Sequence, residues 1–78
     1  MKKMNEYSFT ELLDTAIKSR SQDDINRLGE WLYTYDSTSY NGEHWTYRDN
    51  GHEYVITPVW KETSEDVYEV ERYELEVY

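Results

Sequence analysis

Residues 44–57 read HWTYRDNGHEYVIT, two alternating segments joined by Asn50-Gly51. Asn-Gly is the favoured pair for a two-residue type I′ turn, because both central residues must take positive φ. Closing the chain there predicts the pairs Asp49 with His52, Arg48 with Glu53, Tyr47 with Tyr54 and Trp45 with Ile56. The register is consistent with itself: Trp45, Tyr47, Tyr54, Ile56 and Trp60 share one face, and His44, Thr46, Arg48, Glu53 and Thr57 share the other. A one-residue slip would mix those faces. Pro58 has no N–H to give to a ladder, so its part of the strand is expected at an edge or a bulge.

Upstream, the period changes from two to 3.6. Ser8-Phe9-Thr10-Glu11 fits a capping box, and Phe9, Leu12, Leu13, Ala16 and Ile17 form the apolar stripe of a helix over residues 9–20. A second start at Ser21-Gln22-Asp23-Asp24 leads into a stripe of Ile25, Leu28 and Leu32, joined by Trp31 and Tyr35, through residue 34. Gly29 interrupts that helix at a cost of about 1 kcal/mol relative to Ala, and is read as the point where the two helices approach closely. The Ser-, Thr-, Asn- and Gly-rich segment from Asp36 to Gly42 marks the change to strands, with room for a short extra strand at Ser39 and Tyr40 turning at Asn41-Gly42.

Downstream, Lys61 to Glu65 reads as a polar link, after which alternation resumes and then changes phase. Tyr68 and Val70 lie in one register and Tyr73, Leu75 and Val77 in the other, so a β-bulge near Glu71-Arg72 is needed to keep one apolar face. Tyr68 and Tyr73 then fall on the core face, while Tyr40 and Tyr78 are expected at the surface. The order is α-α-β-β-β: one α+β domain over residues 1–78, with two N-terminal helices on one face of a three-stranded antiparallel sheet.

A chain of 78 residues buries only about 60–65% of its unfolded surface, which leaves little material for a deep active-site cavity. Cysteine is absent, so stability must come from the apolar core, and a reducing cytoplasm is the expected compartment. Lys2 and Lys3 are followed by Asn5, Glu6 and Ser8, which break the apolar run a signal peptide needs, and nothing approaches transmembrane length. His44 and His52 have acidic neighbours but no helical i, i+4 spacing or HExxH order, so no metal or other cofactor is expected. No nucleophile elbow and no phosphate-cradling glycine loop occurs, and enzymatic activity is not expected.

The charge is the remaining functional signal. Eight Lys and Arg stand against seventeen Asp and Glu, a formal net charge of -9 that repels bare nucleic acid and anionic membranes. Residues 61–78 alone carry two basic and seven acidic side chains. Side chains on one face of a strand repeat every ~6.6 Å, so Glu69, Glu71, Glu74 and Glu76 are expected to form a carboxylate row extending from Glu62, Glu65 and Asp66, with Tyr78 beside it. Those eight residues are the candidate partner-binding set. A basic groove that reads phosphates spaced ~3.4 Å apart on each DNA strand could accept such a ladder, and each charge-assisted contact to Arg or Lys is stronger than a neutral hydrogen bond. The simpler alternative is a solvated face whose charges keep the sheet from pairing edge to edge.

In its length, acidity, lack of cysteine and aromatic α-β arrangement, the chain resembles the small proteins that bacteriophages direct against their hosts, anti-CRISPR proteins and other DNA mimics among them. The resemblance covers the whole chain as composition and architecture, carries no diagnostic motif, and transfers no residue's role. It implies a non-enzymatic inhibitor in the host cytoplasm. Such an inhibitor occupies a basic nucleic-acid groove of a processing enzyme, for example the protospacer-adjacent-motif or guide-binding surface of a CRISPR effector. The other class open to this sequence is a small adaptor or structural module that uses aromatic residues or a sheet edge, as a homodimer or with another chain.

Overall fold

In the computed structural model, which describes residues 8–78, two serine-capped helices precede three antiparallel strands. Lys2, Lys3, Asn5 and Glu6, read above against a signal peptide, lie outside the described residues. Helix α1 spans Phe9–Ser19; the Ser8 hydroxyl accepts from the Glu11 N–H at its start, and Arg20 ends it at φ 56° with its N–H on the Ala16 carbonyl. Helix α2 spans Gln22–Tyr35, and the Ser21 hydroxyl accepts from the Asp24 N–H. The hydroxyls of Ser19 and Ser21 both donate to the Asp24 carboxylate, at 2.6 and 2.9 Å, and hold its carboxyl below the ordinary range.

Strands β1 (Trp45–Asp49), β2 (His52–Ser64) and β3 (Val67–Val77) form a sheet in the order β1-β2-β3. The β1–β2 register is the one the Asn50-Gly51 turn requires, with Trp45 opposite Ile56 and Asp49 opposite His52, and both turn residues have positive φ. The phase change in β3 resolves as expected: Val59 faces Arg72 and Trp60 faces Val70, leaving Glu71 as the extra residue of a bulge. Two element assignments need correction. Lys61 to Ser64 is no link but the end of β2, which turns directly through Glu65-Asp66, with Asp66 at φ 61°. No strand forms at Ser39 and Tyr40; Ser37–Ser39 is a 3-10 turn, and Tyr40 is half-buried with its ring 4.6 Å from that of Trp45.

Pro58 sets where β1 ends. Glu53 and Tyr78 exchange both backbone hydrogen bonds, at 3.0 and 2.8 Å, so counting in twos along the antiparallel ladder makes Pro58 and Tyr73 a pair without mutual bonds. The proline nitrogen therefore faces the β1 side, where it has nothing to donate, and β1 stops at Trp45, opposite Ile56. By the same count the N–H and C=O of Tyr73 face away from β2. Asn26 Oδ1 accepts from that N–H at 2.8 Å, and Gln22 Nε2 donates to that carbonyl at 2.7 Å, so α2 closes the outer edge of β3 at this point.

The core lies between the helices and the sheet: Leu12, Leu13 and Ala16 of α1, Ile25, Leu28 and Leu32 of α2, and Trp45, Ile56 and Tyr73 of the strands. Gly29 serves this packing in a way the sequence reading misplaced. Its close neighbour is the ring of Tyr73 in β3 and not α1, and a Cβ at residue 29 would overlap Cγ, Cδ1 and Cδ2 of that ring. Gly29→Ala is expected to destabilise the protein by about 1–3 kcal/mol despite the gain in helix propensity, because a rigid ring backed by a strand cannot yield. Urea unfolding checks this, and an unchanged midpoint would contradict the packing described. The Asp24 cap gives a second expectation. Its folded pKa is depressed, so its contribution is complete above the ordinary value of 3.8 and is lost as pH falls through the lowered value. An NMR titration of the Asp24 carboxyl carbon should give a midpoint below 3.8.

Candidate functional site

Every residue from Trp60 to Glu69 is exposed. β1 ends opposite Ile56, and up to Val59 on β2 and Val70 on β3 the two-stranded ladder still packs against the core; beyond those residues it continues as an exposed ribbon. The thirteen residues of β2 span ~40 Å at a strand's rise, close to the 42 Å long dimension of the molecule. The acidic residues of the C-terminal segment thus fall into two groups with different surroundings.

The first group occupies the hairpin end. Paired residues of an antiparallel ladder point to the same side, so Lys61 and Glu69 share the outer face, while Trp60 with Val70 and Glu62 with Tyr68 share the side that carries the helices further along. Glu65 and Asp66 form the turn, and the Asp66 N–H donates to Glu62 Oε1 at 3.3 Å, which ties the Glu62 carboxylate to the hairpin. Among the described residues, no cationic side chain lies within 4.0 Å of the carboxylates of Glu62, Glu65, Asp66 or Glu69. Four negative charges near one Lys, in a fully exposed ribbon end, give a net negative field that Lys61 offsets only in part and that salt screens.

The second group lies beside the core. Glu74 and Glu76 pair with Thr57 and Val55 on the outer face, and Arg72, opposite Val59, stands in the same row. Its guanidinium donates to Glu71 at 2.8 Å and to Glu74 at 3.1 Å, so two of the four carboxylates in the expected ladder share a cation. Glu76 accepts from the Tyr78 hydroxyl, and that contact with the carboxylate raises the phenol's pKa. The row is therefore mixed in sign. The signal was present in the sequence, since Arg72 lies two and four residues before Glu74 and Glu76 and so shares their face. Tyr78 is exposed as expected, whereas Tyr68, expected in the core, is 57% exposed, and Trp60 is 44% exposed. Both rings point to the correct side of the sheet, but the helices do not reach that far.

Elsewhere the surface offers several concavities, two of them larger than the others among the described residues. One, of about 360 Å³, lies between the end of α2 and β1 against Phe9, Trp31, Asp36, Trp45 and Tyr47, and the Trp31 Nε1 beside it is buried with no hydrogen-bond partner among the described residues. The other, of about 380 Å³, is an open hollow against Arg48, His52, Glu53 and Tyr78. His44 sits 3.4 Å from the Asn41 amide nitrogen and His52 lies against the Tyr54 ring. Among the described residues, no group of three or more His, Cys, Asp or Glu side chains could hold a metal ion, and no helix is long and apolar enough to cross a membrane.

Comparison of the chain with protein-family models, with curated proteins and with solved structures finds no match in any of the three. If Arg72 binds its two carboxylates as described, Arg72→Gln should lower stability at low salt by about 0.5–1 kcal/mol, as expected for exposed pairs. The difference should shrink in 0.5 M salt, ~0.5 M being enough to shorten the Debye length to a few ångströms. Urea unfolding at the two ionic strengths measures this, and a difference that does not respond to salt would point to lost packing on Val59 instead.

Proposed function

We propose that the protein is a non-enzymatic inhibitor that binds a basic, nucleic-acid-facing surface of a processing protein through the end of its β2–β3 hairpin. One observation carries the reading: Glu62, Glu65, Asp66 and Glu69 stand in a wholly exposed ribbon end with no cation within ion-pair distance among the described residues. The net charge of -9 supports it, because a field of one sign accelerates association with a basic surface and suppresses association with nucleic acid itself. Glu71, Glu74, Glu76 and Tyr78 are flanking residues in this scheme, since Glu71 and Glu74 share the Arg72 cation and Glu76 is engaged by the neutral Tyr78 hydroxyl. A CRISPR effector, suggested by the general resemblance to anti-CRISPR proteins, is one protein of the required class.

The outer edge of β1 supports a second reading, an adaptor or homodimer that pairs through that strand, since β1 is bonded only to β2 among the described residues. The two readings respond differently to salt and to substitution. A tagged protein is expected to capture a nucleic-acid-binding protein from bacterial lysate, and competing double-stranded DNA and added salt should both displace it. Lys at positions 62, 65, 66 and 69 together should abolish capture while the circular dichroism spectrum is retained. Lys at positions 71, 74 and 76 should weaken it less. Capture that survives both the hairpin variant and high salt would favour the β1 edge.

A further inference from the structure

The hairpin end carries more than charge. The register puts Trp60, Glu62, Tyr68 and Val70 on one face of the ribbon, with Glu62 two residues beyond Trp60 and directly across from Tyr68. Such neighbours have Cβ atoms about 4.5–5.5 Å apart across the ladder and somewhat further along the diagonal, within reach of one planar group laid between them. The rings are 44% and 57% exposed, a large apolar area to leave in water for a domain with so small a core. One Glu62 oxygen accepts from the Asp66 N–H, which ties the carboxylate to the turn on the face it shares with Trp60 and Tyr68 and leaves its second oxygen to accept from a partner. Lys61, the cation nearest in sequence, pairs across to Glu69 and so projects from the opposite face.

Two aromatic faces flanking an anchored carboxylate make a receptor for a flat cation. A guanidinium can lie flat on an aromatic ring while donating in its own plane to a carboxylate, and it is weakly hydrated; an ammonium is a compact, strongly hydrated charge that gives up more water at a ring face and cannot stack on it. We infer that the hairpin end binds an arginine side chain of the partner, stacked against Trp60 and Tyr68 and ion-paired to Glu62. This rests on the reading of the hairpin end as the contact surface and adds a chemical preference that bulk charge does not supply. The remaining carboxylates, Glu65, Asp66 and Glu69, attract either cation equally.

Two short unstructured peptides test it, identical except that one carries two arginines and the other two lysines. Each is titrated at low salt into the isotope-labelled full-length protein, following the indole N–H signal of Trp60, assigned by its loss in Trp60→Phe. The arginine peptide is expected to move the Trp60 indole and Tyr68 ring signals and to bind ~5-fold more tightly than the lysine peptide, the upper end for a cation–π contact at an exposed site. Trp60→Ala, Tyr68→Ala and Glu62→Gln should each bring that ratio close to one. All three lie outside the core, and an unchanged spectrum for residues 12–32 confirms that each variant is folded. Equal binding of both peptides, with shifts confined to Glu65, Asp66 and Glu69, would overturn the arginine site and leave the charged contact surface standing. Shifts at neither group with either peptide would overturn both.

Discussion

The joint between α2 and β3 is the contact on which the rest of the structure depends. The ring of Tyr73 lies against the bare backbone of Gly29, and the peptide groups of Tyr73 are bonded to the side chains of Gln22 and Asn26. Packing and hydrogen bonding thus fix the same residue in two directions, and Tyr73 is 5% exposed. Burial raises the pKa of its phenol, with the Glu30 charge adding to the effect. The bonds matter through the cost of their absence: an edge N–H and C=O covered by a helix would otherwise be desolvated without partners, at roughly 1–3 kcal/mol each.

From that joint the positions of the other elements follow. Pro58 stands across the ladder from Tyr73, and its missing donor ends β1, so the sheet is three strands wide only over the stretch the helices cover. The bulge at Glu71 follows immediately and carries the apolar face of β3 past the change of phase. Beyond Val70, which still packs on the core, nothing is left to cover the strands, and the sheet thins to a ribbon. Charge is what a two-stranded end needs if it is not to pair with its neighbours. The same carboxylates that keep the ribbon soluble are therefore those that can meet a basic partner.

Much of this was legible in the residues. Asn50-Gly51 specified both the turn and the β1–β2 register, the apolar stripes specified both helices, and the offset between Val70 and Tyr73 specified the bulge. The misplacements share a cause. Lys61 to Ser64 was read as a link because a ribbon exposed on both faces has no hydrophobic alternation to reveal it as strand. Tyr68 was assigned to the core because periodicity reports which side a residue faces but not how far the covering helices extend. Gly29 signalled a close approach without naming what approaches. Spacing alone shows the acidic row, and only the residue at position 72 shows that a cation stands within it.

A ribbon end that contributes no side chain to the core has a further consequence for how such a surface changes over generations. Replacements between Trp60 and Glu69 meet water on both faces, so most of them leave folding almost untouched. The hairpin end can therefore vary in sequence without first acquiring compensating changes in the helices, and the folded base is free to stay constant.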